Sequence, residues 1–280
     1  MIVGFIGQGW IGKNMADDFE RRQYDVVRYS LEEPYINNID KIKECDIVFI
    51  AVPTPSTPDG FSYEAVESAL SLVSDDSIAV IKSTMLPGTT RKLQDKYKNI
   101  IVMHSPEFLR EKFAVSDTSY PPRNIIGVVK PKHRMLADVV LGVLPKASYH
   151  RVVSAESAEC IKYIGNNFLY TKIVFFNIMY DMVMASNGDW DEVRESVAED
   201  SRIGHSHTNI IDQSGDNTIA GRGAGGHCFI KDFEATIRML EGIDFDKTSL
   251  SVLKSLRDEN NKLLKQTNKD IDLLEGVYGK

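Results

Sequence analysis

The sequence predicts an α/β protein: a doubly wound parallel sheet in the N-terminal half, followed by a mostly helical domain. Three observations carry this expectation. Short apolar runs alternate with helix-spaced segments through the first half. A glycine-rich turn, Gly7-Gln8-Gly9-Trp10-Ile11-Gly12, follows the first apolar run. After Arg151 the texture changes to long helical patterns, the first running from Ser154 to Ser186 without a proline.

Taken in order, Ile2–Ile6, Ile47–Val52, Ile78–Ile81, Ile100–Met103 and Asn124–Val129 are predicted strands, with a further strand ending near Ser30. Between them, Gly12–Arg22, Tyr63–Val73 and Thr89–Tyr97 have helical spacing, which gives the βαβ rhythm of a parallel sheet. A helix over His133–Leu144 closes this domain. The second half reads as helices over Ser154–Ser186, Asp189–Glu199, Lys231–Leu240 and Lys247–Leu264, with a polar irregular stretch from Gly204 to Gly226. The expected domains are therefore 1–152, dinucleotide-binding, and 153–280, helical and dimer-forming.

The chain has 280 residues, of which 42% are hydrophobic and 26% charged, as in a soluble globular protein. A net charge of −7 argues against a general nucleic-acid-backbone binder. Cys45, Cys160 and Cys228 are too few and too scattered for a disulfide framework or a zinc site, so no metal and a reduced, cytoplasmic setting are expected. The N-terminus reads as a strand and not a signal peptide. The most apolar long stretch, Ile173–Ala185, is interrupted by Asn177 and Asp181 and is too short to span a bilayer, so no membrane association is expected.

Between a strand and a helix, Gly7, Gly9 and Gly12 supply a tight turn, close approach to a pyrophosphate and close helix–sheet packing. The ribose end leaves two readings. Ser30 with Arg28 suits the 2′-phosphate of NADP, whereas Glu32 or Glu33 suits the 2′-hydroxyl of NAD.

Further on, Glu159, Lys162 and Asn166 share one helical face, either as a substrate-facing set or as a solvated polar stripe. Glu107 and Glu111 sit four apart after a strand, with Arg110 between them as a simple neutralising partner. In Gly221-Arg222-Gly223-Ala224-Gly225-Gly226-His227-Cys228-Phe229-Ile230-Lys231-Asp232, a cysteine on a glycine loop has a cation three residues on and a carboxylate four on. Such a thiol gains thiolate character and becomes a nucleophile; the plain alternative is a mobile loop with an incidental cysteine.

Together these segments resemble the nucleotide-sugar dehydrogenases, the family of UDP-glucose 6-dehydrogenase and GDP-mannose 6-dehydrogenase. The resemblance rests on ordered motifs. They are Gly7-x-Gly9-x-x-Gly12, Val52-Pro53-Thr54-Pro55, Lys82-Ser83-Thr84 with Pro87-Gly88-Thr89-Thr90, and Pro106-Glu107-Phe108-Leu109-Arg110-Glu111. After them come Glu159-x-x-Lys162-x-x-x-Asn166, Asp200-Ser201-Arg202-Ile203-Gly204, and Gly225-Gly226-His227-Cys228-x-x-Lys231-Asp232.

The resemblance implies a Rossmann-like first domain and four-electron oxidation of a sugar C6 alcohol to a carboxylate with NAD. Cys228 would capture the aldehyde and carry the thioester. Lys162 and Asn166 would bind the oxyanion, and Asp232 would help remove the alcohol proton. Glu107 and Thr84 would manage the hydrolytic water. Gly7, Gly9, Ile11, Gly12, Ser30, Thr54, Thr84, Glu111 and Lys231 are implied at the cofactor. Glu107, Phe108, Leu109, Lys162, Asn166, Arg202, Gly225 and Phe229 are implied at a nucleotide-sugar substrate. Arg202 would reach the neighbouring subunit of a homodimer built on the Ser154–Ser186 helix.

The sequence departs from the family's pattern at Ser30, in a shortened stretch Leu31–Glu44, in a polar Asn209–Thr218 and at Lys112. The family's third domain, which covers the nucleotide, is expected to be lacking. Two rival readings remain at this point, a non-catalytic dinucleotide-binding dimer and a 2-hydroxy-acid dehydrogenase of the same two-domain plan.

Overall fold

The computed structural model describes residues 1–110, 113–214 and 218–279. It forms two compact units, one of residues 1–55 and 62–162, the other of 56–61 and 163–280.

The first unit is built on a seven-stranded sheet. Its strands are β1 (Ile2–Ile6), β2 (Asp25–Tyr29), β3 (Ile47–Ile50), β6 (Ile78–Ile81), β7 (Ile101–His104), β8 (Arg123–Val128) and β9 (Tyr149–Ser154), in spatial order β2-β1-β3-β6-β7-β8-β9. Neighbours are parallel except β7 and β8, where Met103 faces Val128 and His104 faces Gly127 in antiparallel register. The expected parallel sheet thus holds one reversal, because the connection after His104 returns along the sheet without a full crossover.

Helices cover both faces, as the doubly wound plan requires: α1 (Trp10–Arg21), α2 (Glu64–Leu70), α3 (Thr89–Lys96), the short α4 (Ala114–Ser119) and α5 (Arg134–Val143). Side-chain alternation splits the strands between two cores. Val3, Phe5 and Phe49 pack with Met15 and Phe19 of α1 and Val140 of α5 on one face. Ile6, Val48 and Ile50 pack with Leu70 of α2 and Leu93 of α3 on the other. Phe5 and Phe49 stack at 5.3 Å, and Phe19 meets Phe5 edge-on at 5.2 Å. β3 and β6 are buried along their whole length, which explains their uninterrupted apolar sequences. β9 carries no alternating pattern in the sequence because it is an edge strand, and half-covered edges tolerate residues such as His150 and Arg151.

The 31-residue helix α6 (Ala155–Ala185) contributes its start to the first unit, through Lys162, and the remainder to the second. By length and composition α6 could cross a membrane, with a hydropathy of 1.3 and only 28% burial in its most apolar window. The core helix of a water-soluble protein passes the same test of length and composition.

The second unit continues with α7 (Trp190–Ala198), α8 (Gly226–Glu241), α9 (Lys247–Gln266) and α10 (Ile271–Tyr278). It also includes the small hairpin of β4 (Ser56–Thr57) and β5 (Gly60–Phe61). Asp189 caps α7 by accepting the Glu192 N–H, and Asp246 caps α9 by accepting that of Ser249. The core stacks Tyr170 of α6 on Phe233 of α8 at 3.8 Å, with Val174, Ala224 and Ile237 around them.

Candidate active site

In the first unit, the candidate residues gather where β1, β3, β6 and β7 end, the edge at which open α/β sheets bind ligands. Gly7 follows β1 with φ +90°, and a Cβ there would strike the Ala51 carbonyl oxygen. A Cβ on Gly12 would strike the Gly7 carbonyl oxygen, so α1 can lie this close to the turn only with glycine at that position. Gly9 precedes α1, and the space beside it is open. Turn, packing and open space together fit a pyrophosphate at a helix N-terminus. Ile11 turns inward and packs against the core on the α1 face.

The strand ends are tied to each other. Ser83 accepts the Val52 N–H at 3.0 Å and donates to the Val52 carbonyl at 2.7 Å. Thr54 donates to the Thr84 carbonyl at 2.9 Å. Glu107 is paired with the buried ammonium of Lys82 at 3.1 Å and accepts the N–H groups of Phe108 and Leu109 at 2.7 and 3.1 Å. Its partner is therefore Lys82 and not Arg110, whose guanidinium binds Asp117 at 2.7 Å. The guanidinium of Arg123 stacks 3.8 Å from the Phe108 ring centre. Glu111 lies outside the described residues.

At the ribose end, the Ser30 hydroxyl donates to the Glu32 carbonyl at 2.9 Å. Arg28 is spent elsewhere: it is 7% exposed and binds the carboxylates of Asp17 and Glu20, each at 2.7 Å. Burial lowers its proton affinity, but the two carboxylates more than restore it. Because its charge is already matched, Arg28 does not act as a ready receptor for a 2′-phosphate.

Glu159 was expected beside Lys162 and Asn166. It is fully buried and caps α3, accepting the N–H groups of Gly88 and Thr90 at 2.6 and 2.8 Å and the Thr90 hydroxyl at 2.6 Å. Burial outweighs those bonds and raises its carboxyl above the ordinary range. The solvated-stripe alternative fails here, because this face of α6 is in structural use.

In the second unit, Cys228 belongs to the first turn of α8 and not to the loop before it. Helix begins at Gly226 because the preceding glycines are held in place and α8 buries Ile230, Phe233 and Ile237. Cys228 is exposed, in the first turn of α8 at the positive end of the helix dipole. One turn later Asp232 is 1% exposed; its carboxylate accepts from the Asn166 amide at 2.6 Å and pairs with Lys231 at 3.0 Å. A carboxylate so buried requires such partners. Lys231 also lies 6.0 Å from the ring centre of Phe61 in the hairpin. Phe229 is half-buried against the core and meets the His207 ring at 5.9 Å.

The glycine segment is anchored and does not behave as a mobile loop. Asn260 of α9, fully buried, accepts the Ala224 N–H at 2.7 Å and donates to the Ala224 carbonyl at 3.0 Å. Thr267 accepts the Arg222 N–H at 3.1 Å, and the Arg222 side chain binds Asn177 and Asp181, each at 2.9 Å. Arg202 is exposed and held by Asp200. Lys172 fixes that segment by donating to the carbonyls of Ile203, Gly204 and Ser206 at 2.8, 3.1 and 2.5 Å. Lys82 stands in a sequence motif without an assigned role, and Asn260 and Lys172 carry no local signal, because each acts on a partner distant in the chain.

Comparison with known proteins shows the family. Residues 35–142 match the NAD-binding domain of the UDP-glucose/GDP-mannose dehydrogenase family, and residues 156–262 match its central domain. The UDP-glucose 6-dehydrogenase of Rickettsia prowazekii is 32% identical over 89% of this chain and 59% of its own length. That of Bacillus subtilis is 31% identical over 96% of this chain and 61% of its own length. The chain thus spans about three fifths of these relatives. A UDP-glucose dehydrogenase structure from Pyrobaculum islandicum superposes with a TM-score of 0.79 at 27% identity, covering 98% of this chain and 70% of that one. With both domain models matched in order, the chain belongs to the UDP-glucose/GDP-mannose dehydrogenase family and carries its NAD-binding domain.

Proposed function

We propose that this protein oxidises the C6 alcohol of a nucleotide sugar, UDP-glucose by analogy with its relatives, to a carboxylate. The carrying observation is Cys228 in the first turn of α8, one turn before an Asp232 carboxylate that is itself held by Asn166 and Lys231.

By the family resemblance, Gly7, Gly9, Ile11, Gly12, Ser30, Thr54, Thr84 and Lys231 would hold NAD, which would supply the hydride acceptor for both oxidations. Asp232, through a water, takes the alcohol proton as the first hydride leaves. The Cys228 sulfur then adds to the aldehyde carbon, and the new oxyanion is met by the Lys162 ammonium and the Asn166 amide, which stand one turn apart on α6. Loss of the second hydride turns the adduct into a thioester. Water positioned by Thr84 and assisted by Glu107 cleaves the carbon–sulfur bond, releasing the acid and returning the thiol. Phe108, Leu109, Gly225 and Phe229 shape the sugar's surroundings. On this reading residues 1–152 serve the cofactor and 153–280 carry the nucleophile, in a cytoplasmic enzyme.

A homodimer completes the proposal. α6 exposes Ile164 (69%), Phe168 (65%), Phe175 (51%), Ile178 (40%) and Met182 (55%), spaced by four, seven, three and four residues along one side. That is a coiled-coil seam, and a second copy of α6 is its natural cover. Arg202 then serves the neighbouring copy's substrate.

The test is absorbance of reduced NAD with a panel of UDP- and GDP-sugars. Two cofactors reduced per sugar are expected. Cys228→Ser should lower acid production on the order of a thousandfold while NAD still binds. Unchanged acid production by that variant, or no reduction with any sugar, overturns the reading.

A further inference from the structure

We propose that Asp270 is a positioning residue for Cys228, and that its negative charge tunes how readily that thiol reacts. The inference rests on reading Cys228 as the nucleophile. Asp270 stands between α9 and α10 in the left-handed region, φ 53°, and is 8% exposed. Its Oδ2 accepts the Gly226 N–H at 2.8 Å and the Ser214 hydroxyl at 2.5 Å. Gly226 is the first residue of α8, two before Cys228.

The adjacent Lys269, 3% exposed, donates to the carbonyls of Gly223 at 3.0 Å and Gly221 at 3.4 Å. The Lys269-Asp270 dipeptide therefore grips both sides of Gly225, its ammonium on the carbonyls before and its carboxylate on the amide after. Gly225 has to be glycine for this grip. A Cβ would collide with the Asp270 carboxylate and the Ser214 hydroxyl, and would come within 2.8 Å of the Lys269 side chain.

Holding the first turn of α8 in this way fixes where Cys228 points. It also places an anion at the end of the helix that would otherwise favour a thiolate. Among the described residues, titratable groups near this turn include His227, Lys231 and Asp232 on α8, His207 against the Phe229 ring, and Lys269 on the glycine segment before it. Among them, Lys231 and Asp232 already neutralise each other at 3.0 Å. Among the described residues, Asp270 brings a carboxylate oxygen onto the backbone of the first turn, at the Gly226 N–H.

The test is the rate of Cys228 alkylation by iodoacetamide in the full chain, followed peptide by peptide by mass spectrometry from pH 6 to 9.5. Asp270→Asn should alkylate about threefold to tenfold faster at pH 7, with the pH midpoint moved down, and Asp270→Glu should restore wild-type behaviour. A profile for Asp270→Asn that superimposes on wild type, or is slower at pH 7, overturns the proposal. If Asp270→Asn does not fold, Ser214→Ala gives the opposite sign. It keeps the carboxylate but removes a donor that disperses its charge, so alkylation should slow by about twofold at pH 7; an unchanged or faster rate refutes the idea. Neither measurement uses turnover. A shifted profile in a protein that oxidises no nucleotide sugar would sustain the role of Asp270 and remove the catalytic reading.

Discussion

Of the three thiols, two stand where ionisation is opposed. Burial pushes Cys45 up to about 11, and burial together with Glu159 and Glu156 raises Cys160. Cys228 is exposed at a helix N-terminus, which is why the nucleophile is proposed there. His104 carries a pH prediction at the same scale. It is fully buried at the end of β7, and burial, reinforced by the charges of Lys82 and Lys162, lowers it from 6.5 to about 3. A depressed base stabilises the fold fully above pH 6.5, and that contribution is lost as pH falls towards 3, because the unfolded chain then binds the extra proton. His104→Phe should therefore flatten the acid limb, sparing about 2–3 kcal/mol of the stability lost between pH 7 and 4.5. Urea unfolding of both proteins at the two pH values checks this; parallel losses would show that His104 is not the group responsible. Local spacing made the tight glycine turn at Gly7 and Gly12 legible, and it set Cys228 four residues before Asp232. Glu159 and Lys82 were misread or passed over because their partners Thr90 and Glu107 are fixed by the fold and not by spacing.

Elements were legible where one pattern dominates. The buried strands and amphipathic helices of the first unit follow their sequence signals to within a few residues, whereas β9 and α10 do not. A polar edge strand has no alternation to read, and α10 is a short helix whose Leu274 and Val277 find their core only against Ile230 of α8 and Leu264 of α9. The glycine segment, for which a mobile loop was the plain alternative, is instead anchored. Its rigidity comes from α9, so its order should depend on Asn260. Asn260→Ala leaves the Ala224 N–H and carbonyl without partners inside the core and should cost about 2–4 kcal/mol. Hydrogen exchange of the segment 221–226 should rise with it. A variant as stable as wild type, with that segment still protected, would relocate the anchor to Lys269 and Thr267.

For the whole molecule, the exposed seam of α6 is the feature with the largest consequence. A helix that is apolar on its outer side needs a cover, and the proposed one is a second copy. Sedimentation should give twice the chain mass of 31.4 kDa. Phe168→Glu with Phe175→Glu should leave a folded monomer, since both positions are exposed in the single chain and neither supports its core. A wild-type chain that sediments as a monomer would refute the seam as a dimer contact.

The hairpin of residues 56–61 interrupts the first unit's sequence yet belongs with the second. Its Thr57 carbonyl receives the Arg238 guanidinium from α8, and its Phe61 ring lies beside Lys231. Recombination between relatives therefore has no single clean crossover point. A chimaera that imports residues 163–280 from another member inherits α8 with a foreign hairpin beneath it, and only one that also exchanges 56–61 transfers the helical unit whole.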